Sequence, residues 1–394
     1  MKPILFLYPY GYWKANPNCV SLVQRCEKAQ IPFDLICPSQ KECLGNSKAI
    51  SEWLWFVRRI VPSAFRQSLR RPWKIINIWT SVLHFFVLKH KIKKNTYSVI
   101  ITCDPSGLGL LSRLKPHFST PVVYLSFHIL FRSEIQSKNE QALARREREA
   151  AFLVQLALSQ DENRRNHAST ETSIDLNKFS CISVAPEANW FPQSTQKSVA
   201  TKSKTILYCG NLESWNLQDL LENLTQNLPK DFHFRIHTHF QPSSELLKKL
   251  WSLEKKNLLE FTYSFLTEQE LVRLIDSSFM GLAPYFPKSD SWMVNKTLYH
   301  IGKASTKIAY YCMRQKPVIT TPLPSLVSAL SHYQFGVALE NWSHISEAVA
   351  RIENNYELFS SEARRYYEKE LDPTHTLDAF WKKLQDLIPN SSPE

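Results

Sequence analysis

Short apolar runs of four to six residues recur along the chain, separated by longer stretches in which apolar positions return every three or four residues. The runs predict strands buried on both faces and the longer stretches predict amphipathic helices. Their alternation predicts parallel sheets covered by helices. In the first half, strands are expected at residues 4–8, 33–37, 97–102, 122–127, 156–159 and 180–184. Helices are expected at 19–29 and 107–114, with a highly charged one at 140–155. Residues 192–203 are polar and without periodicity, as a linker would be. The second half then restarts, with strands at 205–209, 232–237, 259–262, 280–283 and 317–320. Its helices are expected at 217–224, 245–253, 268–276, 305–312, 344–353 and 376–387. Two α/β halves predict a first domain over 1–190, a linker over 191–203, a second domain over 204–372 and a closing helical segment, 373–394, that packs back on the first domain. Paired halves of this kind are expected to bind ligand in a cleft between them.

Composition agrees with that picture: 394 residues suffice for two ordinary domains, and 43% hydrophobic with 21% charged residues excludes global disorder. Charge changes it in one place. Of the net +12, residues 51–95 hold +9, from ten Lys/Arg and one Glu. Trp53, Trp55, Phe56, Phe65, Trp73, Trp79, Phe85 and Phe86 are interleaved with them. Basic and aromatic residues together suit an anionic membrane surface, or else a solvated helical hairpin on the first domain. No nucleic-acid reading module accompanies the charge, so nucleic acid is not expected as a partner. No stretch approaches the ~20 apolar residues that cross a bilayer, and the start of the chain reads as a strand, not a leader. A cytoplasmic protein, peripheral at the inner membrane face, is expected. The eight cysteines include no CxxC pair, and Cys37, Cys103 and Cys209 sit in strand-like runs, which predicts buried free thiols. Glycines number only eight, so each is expected where a side chain would obstruct something.

Candidate chemistry concentrates in Gly302-Lys-Ala-Ser-Thr-Lys-Ile-Ala-Tyr-Tyr-Cys-Met-Arg-Gln-Lys-Pro-Val-Ile-Thr-Thr320. A loop carrying Gly302, Lys303, Ser305 and Thr306 opens a helix that contains Lys307. Unpaired N–H groups, hydroxyls and two ammonium groups at one helix start suit a pyrophosphate. A plain capped helix with surface lysines is the competing reading. His128 follows the strand at 122–127, where it could exchange a proton or simply be structural. Asp104 follows the strand at 97–102, either as a helix N-cap or as a ligand-facing group. Tyr10 and Gly11, after the first strand, are candidates for the acceptor side, or else part of an ordinary turn. His233, His237 and His239 alternate along one strand but lack further ligands at metal spacing, so no metal is expected.

The 302–320 segment resembles the donor-site signature of family-4-type (group 1) GT-B glycosyltransferases, in which a Gly/Ser-rich loop, a Lys, a short helix and a Lys-Pro-Val-Ile strand follow in this order. The likeness extends to Thr205-Ile-Leu-Tyr-Cys-Gly-Asn-Leu, to Leu266-Thr-Glu-Gln-Glu-Leu-Val-Arg-Leu-Ile and to the stretch 147–164, similar to an interdomain segment. It implies a GT-B fold: two Rossmann-like domains whose parallel sheets face a central cleft. It also implies a retaining, nucleotide-sugar-dependent transferase acting on a polysaccharide or lipid-linked acceptor, with no cofactor beyond the donor. Gly210 and Asn211 would approach the donor, and Pro284 and Tyr285 would lie near the base. Ser305, Thr306 and Lys307 would hold the pyrophosphate. His128 and Lys307 would be catalytic, and Asp104 would lie on the acceptor side. Without an Asp-x-Asp motif, Lys303 and Lys307 would neutralise charge in place of a metal. The chain departs from the pattern where Tyr310 stands in place of a ribose-binding Glu and Trp215-Asn216 in place of Lys-Gly. An inactive GT-B scaffold in a glycan-assembly complex is the alternative these departures allow.

Overall fold

The computed structural model describes residues 1–8, 13–36, 97–113, 119–191, 204–213, 217, 220–289 and 293–389. The basic segment 51–95, residues 192–203, Tyr10, Gly11, Cys37 and Trp215-Asn216 lie outside the described residues. The chain divides into two compact units, Met1–Ile182 with Thr376–Glu394, and Ser183–His375.

In unit 1, β1 (Ile4–Leu7), β2 (Phe33–Ile36), β3 (Val99–Cys103), β4 (Val122–Leu125), β5 (Val154–Ser159) and β6 (Phe179–Cys181) form one parallel sheet in the order β2-β1-β3-β4-β5-β6. Every residue of β1, β3 and β4 is buried, as the unbroken apolar runs require. Helix α1 (Pro17–Lys28) starts where the Asn16 side chain accepts the N–H groups of Asn18 and Cys19. Helices α2 (Asp104–Ser112), α3 (Lys138–Ala150) and α4 (Glu162–Thr172) follow. A reciprocal capping box between Ser137 and Glu140 opens α3.

Three expectations need correction here. The charged helix ends at Ala150, and β5 begins at Val154 rather than 156. Gln155 interrupts the apolar run, but its amide oxygen accepts the Val122 N–H at 2.8 Å, where the β4–β5 register shifts. The last strand stops at Cys181 because Ser183 onward belongs to unit 2, where Val184 N–H donates to Lys303 O at 2.9 Å. The stretch 147–164 is not interdomain; it lies inside unit 1.

Unit 2 repeats the architecture. Its strands are β7 (Thr205–Cys209), β8 (His233–Thr238), β9 (Glu260–Tyr263), β10 (Met280–Ala283), β11 (Val318–Thr320) and β12 (Gly336–Ala338), parallel and ordered β12-β11-β10-β7-β8-β9. Read from β9, this is the doubly wound order. The winding reverses between β7 and β10, the place where such sheets take ligands beyond their carboxyl ends. Helices α5 (Leu221–Asn227), α6 (Ser244–Lys255), α7 (Glu268–Asp276), α8 (Thr306–Met313), α9 (Pro324–His332), α10 (Ile345–Asn354) and α11 (Tyr356–Tyr366) surround it. A π-helical turn, Tyr367–Leu371, follows α11 and leads to α12 (Thr374–Asp386). Most of α12 belongs to unit 1, where Asp378 pairs with Arg25 of α1 at 2.7 Å.

Alternation along β7 splits the unit 2 core between two faces: Ile206 and Tyr208 join one apolar cluster, Leu207 and Cys209 the other. Gly281 admits the Tyr311 ring, which a Cβ would meet at 2.3 Å. Tyr311 in turn donates to Leu207 O at 2.9 Å and accepts Cys209 N–H at 3.0 Å, tying α8 to β7. Cys19, Cys26, Cys103, Cys209 and Cys312 are buried free thiols, and Cys181 is a free, partly buried one. Among the described residues no helix is long and apolar enough to cross a membrane.

Candidate functional site

In unit 2, the candidate residues gather where β7 and β10 end. Ser305 caps α8, accepting Ile308 N–H at 3.2 Å, and its hydroxyl also shares a 2.6 Å hydrogen bond with Tyr285. Ser305 and Tyr285 are both buried, so they build the floor of the site. Lys307, in the first turn of α8, runs across that floor. Its ammonium nitrogen lies 4.6 Å from the Tyr285 ring centre and 5.3 Å from that of Tyr208. The Tyr208 hydroxyl donates to Asn211 O, fixing the turn after β7.

Gly210 leaves the lysine room in this arrangement. A Cβ there would sit 3.2 Å from Lys307 Cδ and 3.4 Å from both Lys307 Nζ and the Tyr208 hydroxyl. Gly302, at φ 42, takes a left-handed turn that favours glycine and donates its N–H to Ser325 Oγ at 3.1 Å. Burial pulls Lys307 down from its ordinary value of 10.5 to about 8, and pushes the neighbouring Cys209 thiol up to about 12. A desolvated cation gains most from an anion placed beside it, because the anion restores the charge that burial disfavours.

The other predicted donor residues are placed differently. Lys303 pairs with Glu370 at 2.6 Å, and Tyr333 donates to the second oxygen of the same carboxylate at 2.9 Å. Thr306 is partly exposed at the first position of α8, and Pro284 is buried just after β10. Tyr310 is 8% exposed, its ring packed in the apolar cluster with Ile308 and Met313 and its hydroxyl pushed up by burial. Where the resemblance expects a ribose-binding carboxylate, the chain has a core residue. The three histidines of the β8 region are not assembled into a ligand set. His233 is exposed, whereas His237 is buried with Nδ1 2.9 Å from Thr262 Oγ1. Among the described residues no group of three metal-ligating side chains occurs. Sequence reasoning missed Tyr208 and Glu370. The only signal for Tyr208 was an aromatic residue two before a glycine at a strand end, and Glu370 lies in a turn no pattern marks.

In unit 1, Asp104 and His128 come together. Asp104 Oδ1 accepts the N–H groups of Phe127 and His128 at 2.7 and 2.8 Å, and Oδ2 lies 2.9 Å from His128 Nδ1. Asp104 does not cap α2: the N-cap position is Cys103, without a side-chain hydrogen bond. The same loop is held from β5 and α4. Gln160 Nε2 donates to Ser126 O at 2.8 Å, and Arg164 donates to Phe127 O at 2.6 Å and to Gln160 Oε1 at 2.5 Å. Arg164 is fully buried, and that burial brings it down to about 10.

No family profile matches the chain, and no curated protein matches it. Solved structures do. HepE from Anabaena in complex with UDP is similar at 12% identity and TM-score 0.60, over 98% of this chain and all of that one. Sucrose-phosphate synthase from Thermosynechococcus elongatus matches at 11% identity and TM-score 0.66, over 98% of this chain and 99% of that one. A glycosyltransferase from Rickettsia africae matches at 12% identity and TM-score 0.63, over 99% of this chain and all of that one. Identity this low speaks for architecture alone, and with one doubly wound sheet in each unit the architecture is clear: the chain has the GT-B fold of two Rossmann-like domains.

Proposed function

We propose that the chain is a glycosyltransferase that takes a sugar from a nucleotide-activated donor. The observation that carries this reading is Lys307, drawn down to about 8 by burial and packed against Gly210, where a Cβ would lie 3.2 Å from its chain. Its place at the carboxyl end of β7, beside the point where the winding reverses, is where a doubly wound sheet presents a phosphate to a helix start. A diphosphate here meets Lys307, the first turn of α8, and the Gly210-Asn211 turn. Lys303, already neutralised by Glu370, contributes less. That HepE was solved with UDP and with UDP-glucose supports a nucleoside diphosphate as the ligand class.

In this reading Lys307 stabilises the departing diphosphate without a metal, His128 serves the reacting sugar, and the anomeric configuration is retained. The acceptor is a polysaccharide or lipid-linked glycan, met at the inner face of a membrane that the basic segment 51–95 contacts. A second reading, an inactive GT-B scaffold, is favoured by Tyr310, whose buried ring offers no carboxylate for ribose. One experiment separates them: thermal shifts with UDP, GDP, ADP, UDP-glucose and GDP-mannose. Stabilisation by one nucleotide family, about 2.7 kcal/mol at a hundredfold excess over Kd, supports the enzyme. No shift with any of the five supports the scaffold. Co-sedimentation with anionic and neutral vesicles tests the membrane contact, which equal binding to both would contradict.

A further inference from the structure

We infer that Glu370 is an internal competitor of the ligand's diphosphate: it holds the Lys303 ammonium in the unliganded protein, and a bound diphosphate takes that ammonium from it. The inference rests on the glycosyltransferase reading of the seat at Ser305 and Lys307.

Lys303 is placed to serve either partner. It lies two residues before Ser305, the cap of α8, so the two Cα atoms are at most about 7.6 Å apart. Its backbone is pinned. The Lys303 carbonyl accepts Val184 N–H at 2.9 Å, and the neighbouring Gly302 and Ala304 N–H groups donate to Ser325 Oγ at 3.1 Å and to Ile301 O at 2.8 Å. The side chain is the movable part, a point charge on a flexible four-carbon stem. Its Nζ lies 2.6 Å from Glu370 Oε2, and each side chain is 34% exposed. An ion pair this open to water is weak in net terms, whereas a diphosphate presents more than one negative charge and several acceptor oxygens to the same ammonium.

Glu370 can lose Lys303 without being stranded. Its other oxygen accepts the Tyr333 hydroxyl at 2.9 Å, so the carboxylate keeps a hydrogen bond and stays in place to take Lys303 back. Burial acts to raise this carboxyl, yet the hydrogen bonds from Lys303 and Tyr333 hold it below the ordinary 4.5. It is therefore ionised at neutral pH and a true rival to phosphate. Glu370 belongs to the π-helical turn Tyr367–Leu371, a geometry found often at functional sites. That turn holds the residues at which unit 2 begins: Leu371 O accepts the Ser183 hydroxyl, and the Tyr367 hydroxyl donates to Pro186 O at 2.7 Å. The Lys303–Glu370 pair thus joins the loop before α8 to this turn, and breaking the pair removes one of the turn's supports.

The test is calorimetric titration of whichever of UDP, GDP and ADP binds the wild-type protein, repeated with Glu370→Gln, Lys303→Met and the double variant. Gln keeps an oxygen for Tyr333 but no charge, so Glu370→Gln should bind the nucleotide about threefold more tightly. In the Lys303→Met background the same change should have little effect, because no ammonium is left to compete for. Salt of about 0.15 M screens longer-range repulsion between Glu370 and the ligand. Equal or weaker affinity in Glu370→Gln overturns the competition. A gain that persists at full size beside Lys303→Met overturns it too, since that marks simple charge repulsion. Hydrogen exchange on the wild-type protein needs no variant to fold: the nucleotide should speed exchange in residues 367–372, and slower or unchanged exchange overturns the release. If none of the three nucleotides binds the wild-type protein, the glycosyltransferase reading fails and this inference with it, an outcome visible in the wild-type titration alone.

Discussion

The two units use the same sheet grammar but organise their strand ends by opposite means. In unit 1 the polar group at the end of β3 is an anion, Asp104, held by backbone amides and an imidazole. In unit 2 the group beside the end of β7 is a cation, Lys307, lodged against aromatic rings and a glycine. The anion is satisfied by the protein itself. The cation is packed against ring faces, and burial draws it below its ordinary value, so an incoming anion would restore charge that burial disfavours. A shared fold thus does not assign equal roles to equivalent strand ends: one end holds a carboxylate on backbone amides, the other a lysine against aromatic rings.

The contrast extends to the glycines, and the largest expected effect lies there. In unit 2, a Cβ at Gly336 would sit 2.0 Å from the Val318 carbonyl oxygen of the neighbouring strand. Backbone cannot yield as a side chain does, so Gly336→Ala should destabilise the protein by roughly 3 kcal/mol or more in urea unfolding. A loss under ~1 kcal/mol would mean that β11 and β12 can separate freely.

A smaller effect distinguishes the buried ionisable groups. In unit 1, Glu147 accepts from Tyr124 at 2.5 Å, and burial pushes it from 4.5 up to about 8. Between those values the folded state holds a proton that the unfolded chain releases, so this group lowers stability as pH rises through the window. Lys307 in unit 2 has the reverse slope. Its folded value of about 8 lies below the ordinary 10.5, so the unfolded chain binds the extra proton and stability rises with pH between them. Glu147→Gln should flatten the fall between pH 5 and 8, by about 1.4 kcal/mol for each pH unit the window spans. A slope unchanged by the substitution would show that Glu147 is ionised at neutral pH.

The smallest expected effect is Gly109→Ala in α2, the unit 1 counterpart of the glycine test. The new Cβ would lie 3.2 Å from Leu143 Cδ1, the end of a flexible side chain that can shift. Helix propensity favours alanine by about 1 kcal/mol, so the net change should stay within ~1 kcal/mol of zero. A loss as large as that at Gly336 would mean α2 and α3 are packed as rigidly as two strands.

Much of this was legible in the sequence, for reasons that particular elements show. Helix α7 and strand β10 were placed at their observed bounds, because Thr267 and Glu270 form a capping box ahead of an amphipathic stretch and a buried run follows. Helix α4 was not anticipated: its sequence is almost wholly polar, and Arg164 faces a core where no pattern would place an arginine. Helices α9 and α11 were missed as well, as was β12, only three residues long. Asp104 and His128 were each singled out, but not as a pair, since they are 24 residues apart and only the β3–β4 register joins them. Lys307 was singled out as a candidate phosphate ligand from its place at a helix start. That Lys303 is taken up by Glu370 depends on a partner 67 residues away and could not be read from spacing.

The central claim, that Lys307 forms a seat for a nucleoside diphosphate, is tested most directly by calorimetric titration of UDP into the wild-type protein and into Lys307→Ala between pH 6.5 and 9.5. Wild-type affinity should weaken above pH 8 as Lys307 of the unliganded protein loses its proton, while Lys307→Ala should bind about a hundredfold more weakly and without that loss. Equal affinity in the two proteins across the range would contradict the account.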